Sequence, residues 1–376
     1  MVRVGNLWSE VVSWNNLSEA VRAAARGKRT RPDVARFTFD LESHLCALQR
    51  ELESGSYEPG PYRTFEIRDP KPRMISAAPF RDRVVHHALT RVLEPVFERR
   101  FTADSFASRK GFGQHKALHK AWAGCRENPY VLKCDLRKYF PSIDHEILKS
   151  TLERTIKCRP TLELAFRIID RSNAQEEVNF YFPDDDLFTP FDRRRGLPIG
   201  NQCSQFFANV YLNGLDHLVA RRLRPARYIR YVDDFVLFGG DQGELAEMRG
   251  QIEEWLDAVR PRLHDGKSRV YRCEDGLTFL GWRIFPERMR LRRENVLRVS
   301  RRLRGMAKDF HAGKTDFATI RARVKSWLGH AKTGDTSALR RRLFRSFILV
   351  SAERGRACVA GRVVEQQRSE PARLEP

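Results

Sequence analysis

Three carboxylates stand where carboxylates are costly. Asp135 closes the apolar run YVLKCD, and Asp233 and Asp234 sit side by side within YIRYVDDFVLFG, with apolar neighbours on both sides. A buried carboxylate without a cation or hydrogen-bond donors is strongly unfavourable. Adjacent acids also repel at neutral pH unless a divalent ion lies between them or one faces solvent. A tight hairpin turn is the plain alternative, because Asp-Asp is common in turns. YVDD alone leaves the two open, and Asp135 tips the balance toward metal. Strand-borne acids from distant segments, with Leu136 adding a backbone carbonyl, can bridge two Mg²⁺ ions about 3.5–4 Å apart. Such a pair suits phosphoryl transfer, one ion activating a 3′-hydroxyl and the other steadying the leaving pyrophosphate. In a basic chain, this is the chemistry of a nucleotidyl transferase.

The chain is basic. It has 376 residues, with 69 Lys and Arg against 48 Asp and Glu, a formal net charge of +21. That surplus calls for a polyanion, and nucleic acid rewards it by releasing condensed counterions; an anionic membrane surface is the competitor. Apolar runs such as VLFGG and FILV fall far short of the roughly 20 residues that a span needs. MVRVGNLWSE has neither the apolar stretch nor the cleavage site of a signal peptide, so a cytoplasmic protein with no membrane partner is expected. An apolar fraction of 41% with 10% aromatics suffices for two or three folded units. Seven cysteines without a C-x-x-C pair argue for reduced thiols, against a disulfide framework or a zinc cluster. His115 and His119 share a helix face, but no Glu follows His115 and no third ligand is evident, which favours a plain helical surface.

Several elements must position the acids. Residues 1–55 read as amphipathic helices, the last ending at Gly55. TFEIRDPKPRMISAAPF reads as two short strands joined by a basic turn. Val84, Val85, Ala88, Leu89, Val92, Leu93 and Val96 fall at helical spacing over 81–97. Further helices are expected at 114–124, 144–157, 243–260 and 294–312, and a long one from Asn201. TFLGWRIF is a hairpin candidate, and 352–376 is expected to be a polar, mobile tail.

In order, CDLRKYFPSIDH, RGLPIGNQCSQFFANVYLNGLDH, RYVDDFVLFG, HDGKSRV and LTFLGW resemble the A to E motifs of a reverse transcriptase. FEIRDPKPRMISAAPFRDRVVHHAL and SFASRKGFGQHKAL resemble the finger motifs of its bacterial, group II intron-like branch. The resemblance runs from about residue 60 to 285. Most of that branch carries Gln-Gly and then Ser-Pro where this chain has Ile199-Gly200 and ends on Gln205. That variant resembles the reverse transcriptases of diversity-generating retroelements.

The resemblance implies a right-hand α/β (α+β) polymerase. It would comprise a helical extension (1–60), fingers (61–132 and 150–194), a palm (133–149 and 195–287), a helical thumb (288–351) and the tail (352–376). It makes Asp135, Asp233 and Asp234 the catalytic residues and, with the Leu136 carbonyl, the ligands of two Mg²⁺ ions, or Mn²⁺ in their place. Phe140 would be the gate against a 2′-hydroxyl, a position that on pattern alone reads as core. Arg73 and Lys71 would grip the dNTP triphosphate, a guanidinium fork suiting anionic oxygens; solvation of a basic hairpin is the alternative. Lys267 would protonate the leaving pyrophosphate, and Gly200 would let backbone approach the nucleotide.

Ile199 replaces a hydrogen-bonding Gln with an apolar chain, and loosened checking of about 1–2 kcal/mol is a roughly tenfold change in selectivity. Gln205 would touch the template or be a satisfied helix residue. Phe279, Leu280, Gly281 and Trp282 would form the primer grip, with a hairpin core as the alternative for Trp282. The basic run RMRLRRENVLRVSRRLRGMAKDF suits phosphate contacts along a duplex.

The implied function is RNA-directed DNA polymerisation, copying a template-repeat RNA into adenine-mutagenised cDNA for mutagenic retrohoming. The partners are the RNA and its cDNA duplex, dNTPs, and a small, basic, oligomeric accessory variability protein. A retron-type or phage-defence reverse transcriptase and a catalytically silent RNA-binding scaffold are the competitors. The absence of a nuclease pattern after 351 disfavours an intron-mobility protein with its own endonuclease.

Overall fold

The computed structural model describes residues 2–68, 72–172, 176–183, 185–350, 357–359 and 362–364. Its contacts divide the chain into two units, one of 1–117 with 130–271, the other of 118–129 with the residues after 271.

The first unit opens with α1 (Trp8–Val11), α2 (Trp14–Ala25), α3 (Pro32–Phe39) and α4 (Leu41–Glu53), then the hairpin β1 (Arg63–Arg68) and β2 (Pro72–Ala77). Next come α5 (Phe80–Glu98), the first turn of α6 (Gln114–Glu127) and β3 (Tyr130–Arg137). After them run α7 (Tyr139–Ser142), α8 (His145–Glu153), α9 (Arg159–Asp170), α10 (Thr189–Asp192), α11 (Gln202–Tyr211) and α12 (Asn213–Leu218). The unit ends with β4 (Arg227–Tyr231), β5 (Asp234–Gly239), α13 (Gln242–Val259), β6 (Arg262–Leu263) and β7 (Arg269–Arg272).

Local chemistry explains the element starts. Ser13, Asp144 and Asp241 accept backbone N–H groups at the heads of α2, α8 and α13, satisfying donors that a helix leaves open. The apolar face of α5 is largely as expected, with Val84, Val85, Ala88, Leu89, Val92 and Leu93 buried and Val96 partly so. The segment after Asn201 is not one long helix. It breaks at Leu212, which caps both α11 and α12, and ends in a π-turn at Val219–Leu223.

The sheet runs β4-β5-β3-β6, with β7 also paired to β3. β5 is antiparallel to both β3 and β4. Its run Phe235–Phe238 is fully buried, each side chain worth about 1.5–3 kcal/mol of burial, and α13 packs along β3 and β5. This apolar clamp fixes register, and the register sets Asp135 opposite Asp234.

The second unit carries the rest of α6, then β8 (Leu277–Phe279), β9 (Trp282–Ile284) and β10 (Met289–Leu291) as an antiparallel meander. Three helices follow, α14 (Arg293–His311), α15 (Phe317–Ala331) and α16 (Ser337–Arg345), and then β11 (Ile348–Val350), β12 (Ala357–Val359) and β13 (Arg362–Val364). Its helical core is thin: Leu303, Ile320, Phe347 and Leu349 are buried together, and α16 buries none of its residues. A cleft of about 810 Å³ opens between α14 and α15, lined by Val299, Met306, Val324 and Trp327 among others.

Most of the expected tail, 352–376, lies outside the described residues, as does Lys71. The six cysteines whose side chains are described are free thiols. Among the described residues, no helix is long and apolar enough to cross a membrane.

Candidate active site

β4 and β5 are joined by a two-residue turn, Val232-Asp233, with Tyr231 paired to Asp234 across it. Val232 holds φ at +60°, a conformation that a β-branched residue adopts only under constraint, at a cost of about 1–3 kcal/mol. YVDD is thus a hairpin turn, and the turn itself presents the acids. The Asp233 carbonyl accepts the Leu136 N–H at 3.2 Å, which locks the turn to the end of β3 where Asp135 lies.

The acids lie in a partly buried, electrostatically loaded site. Burial pushes the Asp233 carboxyl up, and the Asp135 charge adds to it while Arg73 and Lys267 oppose it. Asp234 is pushed up to about 7, first by burial, then by its two acidic neighbours, with Lys133 countering. Its Oδ1 is buried without a hydrogen-bond partner, and the Lys133 ammonium stands off at 3.6 Å. Lys267 Nζ lies 2.7 Å from Asp135 Oδ2. The loop carrying it returns onto β3, with the His264 N–H donating to the Asp135 carbonyl at 2.7 Å and Ser268 Oγ accepting the Asp135 N–H at 3.2 Å.

No three His, Cys, Asp or Glu side chains among the described residues gather closely enough to hold a metal ion. The chemistry of the donors nonetheless suits divalent cations: Asp135, Asp233 and Asp234 lie at one end of the sheet, and the buried Asp234 Oδ1 has no hydrogen-bond partner.

The nucleotide- and template-side candidates described in this unit come from β2, the LPIG turn, α7 and α11. Arg73 is exposed on β2 opposite Ile67. The Ile199 carbonyl accepts the Ser76 N–H at 3.3 Å, so β2 is tied to the LPIG turn. Gly200 holds φ at +115°, a conformation that strains L side chains, and a Cβ there would lie 3.0 Å from Ile75 Cγ2, so that methyl would have to give way. Phe140 is half-buried, edge-on to Tyr139 at 5.7 Å between ring centroids. Gln205 is exposed on α11, its Oε1 accepting the Ser108 hydroxyl at 2.9 Å.

In the second unit, Leu280 (φ +47°) and Gly281 (φ +84°) form the tip of the β8–β9 hairpin, the twist that two-residue hairpins favour. Phe279 and Trp282 are fully buried beneath it. Trp282 packs on His330 with ring centroids 5.4 Å apart, so this side chain is hairpin core and the Leu280–Gly281 backbone is what the tip offers.

Sequence reasoning missed Lys133, Ser268 and Arg230. The first two lack a signal beyond adjacency to the acids. Arg230 had one, a guanidinium inside the otherwise β-rich YIRYV.

A basic chain whose strand-borne carboxylates meet at a hairpin turn has the form of a nucleotidyl-transfer site. The profile of the family described as reverse transcriptase (RNA-dependent DNA polymerase) matches residues 67–284. The chain belongs to that family and is an RNA-directed DNA polymerase.

Among curated proteins, the chain is 26% identical to Protein YkfC of Escherichia coli strain K12 over 290 residues, covering 66% of this chain and 73% of that one. It is 24% identical over 184 residues to the group II intron-encoded protein LtrA of Lactococcus lactis subsp. cremoris, covering 47% of this chain and 28% of LtrA. It is 31% identical over 113 residues to nuclear intron maturase 1, mitochondrial, of Arabidopsis thaliana, covering 29% and 16%. The chain therefore spans most of YkfC but under a third of the latter two.

Proposed function

We propose that this reverse transcriptase copies a template-repeat RNA into cDNA with errors concentrated opposite adenine, as part of a diversity-generating retroelement. The observation that carries the reading is the turn LPIGNQCSQ, where Ile199 and Gln205 replace the Gln and Pro of most of the bacterial branch.

In the proposed reaction, Asp135, Asp233 and Asp234, with the Leu136 carbonyl, would hold Mg²⁺, which would supply charge neutralisation at the triphosphate and a more acidic 3′-hydroxyl. The chain's own residues do the rest. Arg73 and Lys71 bind the triphosphate as anion-matching donors. Phe140 closes the sugar site against a 2′-hydroxyl. Lys267, released from Asp135, delivers a proton to the departing pyrophosphate. Gly200 allows the base pair to lie against backbone, and Ile199 contacts it without a hydrogen bond, so mismatched geometry is penalised less.

Gln205 and the primer-grip segment Phe279–Trp282 serve template and primer, within a palm, fingers and thumb bounded as the family implies. A small basic accessory protein completes the proposed assembly.

A second reading, an intron-encoded enzyme, rests on the likeness to LtrA and to nuclear intron maturase 1, whose names tie them to introns. Sequencing cDNA made on a candidate template-repeat RNA decides between them. Errors concentrated opposite adenine support the retroelement reading, and uniform fidelity overturns it. Within that assay, Ile199→Gln should lower the adenine error rate by about tenfold.

A further inference from the structure

We propose that Arg230 is the positioning residue that fixes the Val232-Asp233 turn and, through it, the Asp233 carboxylate; this rests on the catalytic role proposed for Asp233. Arg230 is fully buried, as is its ion-pair partner Asp216. Its five N–H donors meet five acceptors: Nε donates to Asp216 Oδ1 at 2.7 Å, and Nη2 to Asp216 Oδ2 at 2.6 Å and Ser105 Oγ at 3.0 Å. Nη1 donates to Asn209 Oδ1 at 3.2 Å and to the Val232 carbonyl at 3.0 Å.

The last bond is the informative one. Val232 is the residue at φ +60°, and a constrained peptide persists only where its surroundings over-determine it. Arg230 supplies that constraint from a seat that is itself fixed. Tyr228 donates to Asp216 Oδ1 at 2.9 Å. The Arg230 N–H donates to the Asp104 carbonyl at 2.8 Å, and its own carbonyl accepts the Phe106 N–H at 2.9 Å. The guanidinium thus joins α11, α12, the 104–106 segment and the turn at one buried point, and its planar fork cannot be reproduced by an ammonium.

The test measures single-nucleotide incorporation on an RNA template with a DNA primer as Mg²⁺ is varied, with template–primer affinity and thermal melting as controls. Arg230→Lys should raise the Mg²⁺ concentration for half-maximal rate by about tenfold and lower kcat by up to about 100-fold, at unchanged template–primer Kd. Adding Val232→Gly, which accepts positive φ without being held, should recover much of that loss. A merely structural role for Arg230 predicts no such rescue.

An Arg230→Lys variant that melts normally with unaltered Mg²⁺ dependence overturns the proposal, as does failure of Val232→Gly to rescue it. If Arg230→Lys does not fold, Ser105→Ala decides: it removes one acceptor only, and a rise of about twofold to threefold supports the proposal while no rise overturns it. Asp233→Asn separates the two levels. If it abolishes incorporation, a null result in the Arg230 series falls on positioning alone; if it copies normally, the site reading fails and the positioning role with it.

Discussion

At the residue scale, the metal-holding role proposed for the acids predicts one kinetic signature. Asp135→Asn and Asp233→Asn are each expected to lower kcat by about 1,000-fold or more while leaving template–primer Kd within about twofold, since the lost interaction belongs to the transition state. A single-turnover assay beside a binding isotherm checks this. Lys267 gives a less obvious prediction. Its ammonium sits on Asp135 at 2.7 Å, so it competes with any cation for that carboxylate. Lys267→Met should lower the Mg²⁺ needed for half-maximal rate by about twofold to threefold, because a competitor is gone. It should also lower kcat by about 10-fold or more, because the proposed proton donor is gone. The acids were legible in the sequence because a carboxylate in an apolar strand is conspicuous. Lys133 and Ser268 were not, because an exposed-looking polar residue gains meaning only from what the fold sets beside it.

At the element scale, α5 carries a pH prediction. Burial holds the His86 imidazole down to about 3, with His87 and Arg83 adding to the effect, and holds His87 down to about 4, with Lys28 and Arg83 adding. Both stay neutral when folded, whereas the unfolded chain protonates them near 6.5. The unfolded state therefore binds more protons, so stability is complete above about pH 6.5 and declines as pH falls toward 4, by up to about 1.4 kcal/mol per unit for His86. Chemical denaturation across pH 7 to 5 should show that slope, and His86→Leu should flatten it. The β2–LPIG contact gives a second prediction: Gly200→Ala forces a Cβ against Ile75 and an L-residue into positive φ, at about 1–2 kcal/mol. Its melting temperature should fall and its dNTP KM rise.

Element types were legible wherever periodicity was long, as in α5, α13 and α14. The break at Leu212 was not, because LPIGNQCSQFFANVYLNGLDHL keeps helical spacing through it and only packing decides where the backbone turns.

At the scale of the whole molecule, the +21 charge predicts strongly salt-dependent RNA binding. Arg301, Arg302, Arg304 and Lys308 are exposed on α14, where Leu303 is the one buried residue. Replacing two of these arginines with Gln should reduce the slope of log Kd against log salt by about one for each phosphate that is no longer neutralised. kcat at saturating template should stay unchanged, because phosphate contacts position strands and do not take part in the chemistry. The thin core of the second unit places its helices at the low end of local stability, so their amides should exchange faster than those of β3 and β5.

The pairing of β3 with β5 also bears on how the chain is made. Tyr130 meets Gly239 and Asp135 meets Asp234, so β3 emerges from the ribosome about 100 residues ahead of its main partner, some 5–20 seconds at ordinary elongation rates. Throughout that interval a strand of Val, Leu and Cys has unsatisfied edges on both sides, and such a pairing, distant in sequence, forms slowly. The pairing of Asp135 with Asp234 therefore cannot form until β5 has been made, and the helices made before β5 are what can cover the apolar strand until then.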